Sequence, residues 1–216
     1  RERLSALYGG WGDDGARGLG VAARRFAAPR ESYAREDEVD LCFEGFLLFE
    51  DPPKDGITET IADLARSGVA VQIISGDNRH VCAHVARAIG IDPGEILTGE
   101  DLDRVTDDAL PVVVERASLF AEVDPRQKER IVLALRKAGH VVGYMGDGIN
   151  DAPALHAADV SVSVEGAVDV AREAADFVLV EKNLDVLHEG LLLGRTTFAN
   201  TLKYLYTTES ANLGNM

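Results

Sequence analysis

Cations are scarce in this sequence. Its 216 residues hold 22 lysines and arginines against 37 aspartates and glutamates, a formal net charge of −15 at pH 7. That deficit argues against a nucleic-acid partner, and the few cations are scattered, so no polybasic patch offers itself to a membrane surface. Cysteine is scarcer still. Cys42 and Cys82 have neither metal-ligand spacing nor the numbers for a disulfide framework, and read as two small buried hydrophobes in a reducing compartment. The five histidines are dispersed; His80 and His84 share a helical face, but no third ligand accompanies them as zinc would require. No run of about 18 apolar residues occurs, which excludes a membrane-spanning helix within these residues. A signal-peptide pattern and an initiating methionine are also missing. The chain opens on Arg1-Glu2-Arg3 and stops at Gly214-Asn215-Met216 without a closing turn, so a piece of a longer protein is expected.

What is present is globular in kind. The apolar share of 46% and the charged share of 27% suit a packed domain, and the length allows a sizeable core. A helix end (Leu4, Leu7, Tyr8) runs into a Gly-rich loop, and a short strand covers Gly18 to Phe26. Pro29 to Asp40 reads as a polar surface connection, and Leu41 to Phe49 as a strong strand. Asp51-Pro52-Pro53-Lys54 is a rigid break, because two prolines fix φ and remove two donors. From there strands and helices alternate. A helix over about 55–67 stops at Gly68, a strand over Val69 to Ile74 leads to Ser75-Gly76-Asp77, and a helix over 78–89 stops at Gly90. A looser stretch over 91–111 and an apolar segment from Val112 to Phe120 precede a well-marked helix. Asp124 caps it, Pro125 opens it, Gln127 takes the reciprocal capping position, and Ile131, Leu133 and Leu135 help bury it up to Gly139. Val141 to Met145, Val160 to Val164 and Phe177 to Val180 read as further strands, with an Ala-rich helix before the last. A long helix, roughly Leu184 to Glu209, closes the chain. Such alternation implies an α/β fold with a parallel sheet and right-handed crossovers.

The chemistry concentrates in Gly146-Asp147-Gly148-Ile149-Asn150-Asp151-Ala152-Pro153-Ala154-Leu155. Gly146 and Gly148 let the backbone turn sharply and approach a ligand, and Asp151 is placed to cap the helix that Pro153 opens. Two carboxylates and an amide at the carboxyl end of a buried strand make a hard oxygen site of the kind Mg²⁺ takes, with room for water and phosphate oxygens. A plain Asp/Gly/Asn turn without chemistry is the bland alternative. The Ser75-Gly76-Asp77 loop repeats the same strand–Gly-Asp–helix arrangement, so two polar loops are expected to face one site. Lys128, in the first turn of a capped helix, stands where anions are favoured; alone, it would pass for a surface lysine.

The ten-residue run resembles the signature of the P-type ATPases, ion pumps whose phosphorylation domain has the haloacid dehalogenase fold. The resemblance extends over nearly the whole chain. Asp51-Pro52-Pro53 is similar to their hinge between nucleotide and phosphorylation domains, and Ser75-Gly76-Asp77 to their Thr-Gly-Asp. Asp124-Pro125-Arg126-Gln127-Lys128 resembles the motif whose lysine touches the transferred phosphate. By that resemblance Lys128, Asp147, Asn150, Asp151 and Ser75 are catalytic, and Asp147 holds Mg²⁺ with Asp151 in support, through water. Gly76, Asp77, Gly148 and Arg17 would approach ATP. The implied fold is a haloacid-dehalogenase-like Rossmannoid parallel sheet with helices on both faces, followed by a stalk helix. Residues 1–40 would end a nucleotide-binding domain, 41–190 form the phosphorylation domain, and 191–216 lead to a membrane span.

Two departures stand out. Glu122 occupies a place where many members carry an arginine near the nucleotide. Asp-Lys-Thr-Gly-Thr, whose aspartate is phosphorylated and lies on the central strand, does not occur in these residues, so the chain alone is not expected to form a phosphoenzyme. The tail, including Arg172-Glu173-Ala174-Ala175-Asp176 and Gly194-Arg195-Thr196-Thr197-Phe198, looks most like the bacterial magnesium-transporting pumps. The resemblance thus implies ATP and Mg²⁺ as cofactors, a transported cation, and actuator and membrane segments as partners. It also implies a location on the cytoplasmic face of the plasma membrane. Pumps for calcium, protons or potassium, a soluble phosphatase of the same superfamily, and a binding module without a nucleophile are the rival readings. A final helix that simply packs on the domain is the rival to a stalk.

Overall fold

Alternating apolar segments separated by capped turns produce alternating strands and helices. The computed structural model describes residues 2–26, 32–181 and 183–214. In chain order, α1 (Glu2–Asp13) leads to β1 (Ala16–Ala23) and β2 (Cys42–Glu50). Then come α2 (Ile57–Arg66), β3 (Ile73–Ile74), α3 (Arg79–Ala88), β4 (Ile96–Thr98), α4 (Gly99–Asp103), α5 (Leu110–Val114) and β5 (Leu119–Ala121). The remainder is α6 (Pro125–Lys137), β6 (Gly143–Met145), α7 (Ala152–Ala157), β7 (Val160–Val164), α8 (Asp169–Ala174), β8 (Phe177–Leu179) and α9 (Leu184–Gly214). The start of the polar connection at Pro29 falls outside the described residues, as do Asn215 and Met216, and the last helix runs past Glu209 to Gly214.

The strands form three groups. β1 and β2 pair antiparallel along their length, with a register shift at Val21/Ala22, so β2 joins the N-terminal segment by its hydrogen bonds. The other six strands run parallel to their neighbours in two three-stranded sheets, ordered β3-β5-β4 and β6-β7-β8. Among the described residues, β3 and β6 are each paired on one side only.

Side-chain alternation fills both faces of the first parallel sheet. Leu119 and Ala121 point into a cluster with Ile61 of α2 and Cys82, Ala83 and Ala86 of α3. Phe120 points the other way, onto Val114 of α5 and Ile131 and Ala134 of α6. One turn face of α6 serves the second sheet, because its neighbour Val132 packs with Val142, Tyr144 and Leu155. Ile131 and Val132 are both fully buried, each stabilising by about 1.5–3 kcal/mol. Ile74 and Leu135 pack against both clusters, so α6 is the element that joins the two sheets.

Several expectations shift in detail. Helix α1 runs on through Gly9, Gly10 and Gly12 instead of yielding to a loop. The stretch over 91–111 contains β4 and α4, the latter opened by a Thr98/Asp101 capping box. Leu133 is 47% exposed, since Val132 and Ala134 occupy the buried face, and Val141 is 86% exposed because β6 begins only at Gly143. Cys82 is buried as expected, but Cys42 is exposed on the β1–β2 ribbon. No helix among the described residues is long and apolar enough to cross a membrane.

Candidate phosphoryl-transfer site

The capping box at the head of α6 aims the lysine. Gln127 N–H donates to Asp124 Oδ1 at 2.8 Å, and Asp124 N–H donates back to Gln127 Oε1 at 2.9 Å. Gln127 is itself buried, and its Nε2 donates to the Gly99 carbonyl at 3.0 Å and to Asp103 Oδ1 at 2.8 Å. The next residue, Lys128, therefore leaves a fixed turn, and its Nζ donates to Asp151 Oδ1 at 2.7 Å. Both side chains of the pair are only 12% exposed.

Asp151 is held from three directions. Besides Lys128, Tyr144 Oη donates to Oδ1 at 2.9 Å and Gly148 N–H donates to Oδ2 at 3.0 Å. Burial alone would raise the Asp151 pKa; the Lys128 hydrogen bond, the Gly148 amide, the Lys128 charge and the Tyr144 hydroxyl outweigh it and hold the carboxyl below its ordinary value. The Tyr144 phenol is pushed up by burial, by the Asp151 charge and by donating to it. Asp151 does not cap α7 with its side chain as expected. It closes the single 3-10 turn Ile149–Asp151 in αR backbone (φ −94°, ψ −16°), and its carboxylate turns back to Gly148. Gly146 makes room for it: a Cβ there would lie 2.5 Å from Asp151 Cβ and 2.8 Å from its Cγ.

Asp147 and Asn150 lie on the open side of this loop, both exposed. The Asp147 carbonyl accepts from Val168 N–H at 3.1 Å, which fixes the backbone and leaves the carboxylate facing outward.

The second polar loop follows β3. Ser75 Oγ accepts from Asp77 N–H at 3.1 Å and donates to Asp77 Oδ2 at 3.2 Å, so the loop closes on itself around exposed Gly76. Arg17 Nη2 reaches the same Asp77 Oδ2 at 2.6 Å from β1. Tyr8, Arg17, Phe49, Asp77 and Asn78 line an open cavity of about 350 Å³ beside that pair. His80 and His84, on α3, both meet α1. His80 Nδ1 lies 2.7 Å from Asp13 Oδ1, and His84 Nδ1 lies 2.9 Å from the Asp13 carbonyl.

The structure thus brings Lys128 and Asp151 together, gathers Ser75, Gly76, Asp77 and Arg17 into a second group, and leaves Asp147 and Asn150 at the surface of the first. Sequence reasoning missed Tyr144, and it missed Arg79, whose guanidinium pairs with Glu122 beside the second loop. The signal for Tyr144 was a lone hydroxyl in an otherwise aliphatic strand directly before the Gly-Asp-Gly turn. Arg79 gave no signal beyond its place at a helix start.

Residues 16–159 match the family described as haloacid dehalogenase-like hydrolase. The chain belongs to that family. Among curated relatives of this haloacid dehalogenase-like chain is the magnesium-transporting ATPase, P-type 1, of Escherichia coli (strain K12), 50% identical over 94% of the chain and 22% of the relative. A magnesium-transporting ATPase, P-type 1, of Salmonella typhimurium (strain LT2) is 45% identical over the whole chain and 24% of its own length. The probable cation-transporting ATPase F of Mycobacterium tuberculosis (strain H37Rv) is 37% identical over 81% of the chain and 20% of the relative. The homologues are cation-transporting ATPases, and the chain spans less than a quarter of the length of those it matches.

Proposed function

We propose that this chain is the phosphoryl-transfer portion of an ATP-driven cation pump, with Mg²⁺ as the cargo, acting through an aspartyl phosphate formed on a residue outside these 216. The observation that carries the reading is the buried Lys128–Asp151 pair set beside the exposed Asp147 carboxylate. Its support is the 45–50% identity to magnesium-transporting ATPases.

The donors present suit Mg²⁺ as the working cofactor. Among the described residues no three His, Cys, Asp or Glu side chains gather as a closed metal cage. Mg²⁺ asks for less, one or two carboxylates with water and phosphate oxygens completing the shell. Asp147 is free to be that carboxylate. Asp151 is committed to three donors, so it supports from behind through water and through Lys128. When bound, Mg²⁺ would supply positive charge that offsets the charge of phosphate oxygens.

The chain's own groups do the rest. Lys128, held in place by Asp151, balances negative charge on the transferred phosphoryl group. Ser75 Oγ and the Asn150 amide donate to its oxygens, and Gly76 and Gly148 let backbone N–H groups approach. Asp77 and Arg17, beside the cavity, engage ATP, which must break their mutual ion pair; exposed pairs of that kind contribute only about 0–1 kcal/mol. The one-sided pairing of β3 and β6 supports a place between them for the strand that carries the phosphorylated aspartate.

In this reading the boundary between the nucleotide and phosphorylation domains falls at Asp51-Pro52-Pro53, because β2 pairs with β1. Helix α9 is the stalk, and the site faces the cytoplasm beneath the membrane segments of the whole pump. In the full-length protein, Asp147→Ala is expected to abolish Mg²⁺-dependent phosphoenzyme formation from labelled ATP. Normal phosphoenzyme in that variant would overturn the assignment, and ATP-driven transport of another cation in place of Mg²⁺ would correct the cargo.

A further inference from the structure

The segment that follows β5 holds the Ser75-Gly76-Asp77 loop in a way the proposed chemistry leaves unassigned. Glu122 adopts left-handed backbone (φ 58°), a conformation side chains other than glycine rarely take. In that conformation its N–H donates to the Asp77 carbonyl at 2.9 Å, and the next amide, Val123 N–H, donates to the Ser75 carbonyl at 3.2 Å. Two consecutive amides thus grip both ends of the three-residue loop. The Glu122 carboxylate continues the grip one step further. Its Oε1 accepts from Arg79 N–H at 3.2 Å and from Arg79 Nε at 3.3 Å, and its Oε2 accepts from Arg79 Nη2 at 3.3 Å. Arg79 is the first residue of α3, and its amide has no partner within the helix.

We infer that Glu122 is a positioning residue: it clamps the Ser75-Gly76-Asp77 loop onto β5 and orients Arg79 at the rim of the nucleotide site. The inference rests on the proposed reading of that loop as an ATP and phosphate contact. Glu122 itself touches no ligand, since its carboxylate is spent on Arg79. The effect is geometric. Arg17 reaches Asp77 from β1, while Arg79 is turned away from Asp77 towards Glu122, so the two guanidiniums do not compete for one carboxylate. Two other acidic residues, Asp101 and Glu100, also act on Arg79, and the Glu122 hydrogen bond is the largest influence on it. An ordinary exposed ion pair would leave the loop indifferent to its loss. A clamp would not.

The test uses the full-length protein with three variants: Glu122→Gln, Glu122→Arg, and the reversed pair Arg79→Glu with Glu122→Arg. Glu122→Arg sets two cations against each other and is expected to raise the half-saturating ATP concentration about tenfold, with Glu122→Gln in between. The reversed pair restores opposite charges and is expected to return it to within about threefold of the wild type. Amide hydrogen exchange over residues 75–79 should speed up in Glu122→Arg and slow again in the reversed pair. Unchanged ATP dependence and unchanged exchange in Glu122→Arg would overturn the inference, as would a reversed pair no better than the single variant. If the wild type hydrolyses no ATP, the proposed function falls, and the exchange measurement alone then decides the clamp.

Discussion

Asp151 takes donors from three different residues, and its environment makes two substitutions informative. Replacing Lys128 by Met leaves a carboxylate that is nearly enclosed without its counter-charge, and removing one partner of a buried pair costs about 3–5 kcal/mol. Tyr144→Phe removes one of three donors and keeps the ring, so the loss is about 1 kcal/mol. Urea unfolding of the two variants should rank them in that order, with Tyr144→Phe the milder by about 2 kcal/mol or more. Equal losses would mean that the hydroxyl matters to this corner as much as the ammonium does. The identity of Asp151 was legible in the Gly-Asp-Gly-Ile-Asn-Asp run, but its role was not. Sequence spacing favoured a helix cap, whereas the αR backbone at Asp151 sends the carboxylate back to Gly148 and across to Lys128. Tyr144 belongs to the same lesson, because a hydroxyl on a buried strand acquires meaning only when a partner from another element lies 2.9 Å away.

At the scale of elements, the most legible feature was α6. Its cap, its first-turn proline and its reciprocal glutamine all lie within four residues, and hydrogen bonds local in sequence can be read from sequence. Its end was legible too, at Gly139 in left-handed backbone (φ 96°). Its buried face was not. Leu133 looked like core, yet α6 serves two sheets at once, and Ile131 with Val132 and Ala134 fill the two sides it presents. The loop between β6 and α7 shows the opposite case, where one glycine is required by what approaches it. Gly146→Ala would place a methyl group 2.5 Å from Asp151 Cβ, which must then move. That variant is expected to lose phosphoenzyme formation in the full-length protein while Gly148→Ala, whose nearest contact is 3.3 Å, retains a measurable fraction. Comparable activity in both would show that the close approach at Gly146 is not limiting. β3 and β6 were shorter or later than expected because parallel pairing, and not local propensity, defines their ends.

Over the whole molecule, the feature with the widest consequence is the division of the parallel strands into two sheets joined by α6. Ile73 and Ser75 donate their amides to Ser118 and Phe120 of the β5 segment, so the intervening Ile74 amide points to the unpaired side of β3. Amide exchange at Ile74 should therefore be fast in residues 1–216 and strongly slowed in the full-length protein, if a further strand completes the sheet there. Equal exchange in both would remove the case for a strand between β3 and β6. A second whole-molecule contact seats α9. The buried Thr60 of α2 hydrogen-bonds Asp185, Ser67 Oγ lies 3.2 Å from His188 Nε2, and Arg195 Nη1 donates to the Ser67 carbonyl at 2.7 Å. Beyond that polar seat α9 continues with Leu193, Phe198, Tyr204 and Tyr206 exposed, which suits a helix whose neighbours lie elsewhere in a larger protein. The sequence by itself determined most of the order of strands and helices, the capped start of α6 and the residues of both Gly-Asp loops, because each depends on groups within a few positions of one another. Tertiary structure alone decided that Lys128 and Tyr144 share one oxygen of Asp151, that Glu122 grips a loop more than forty residues upstream, and that six parallel strands make two sheets. Those outcomes depend on partners brought together only when α6 packs between the sheets, and no local pattern encodes that distance.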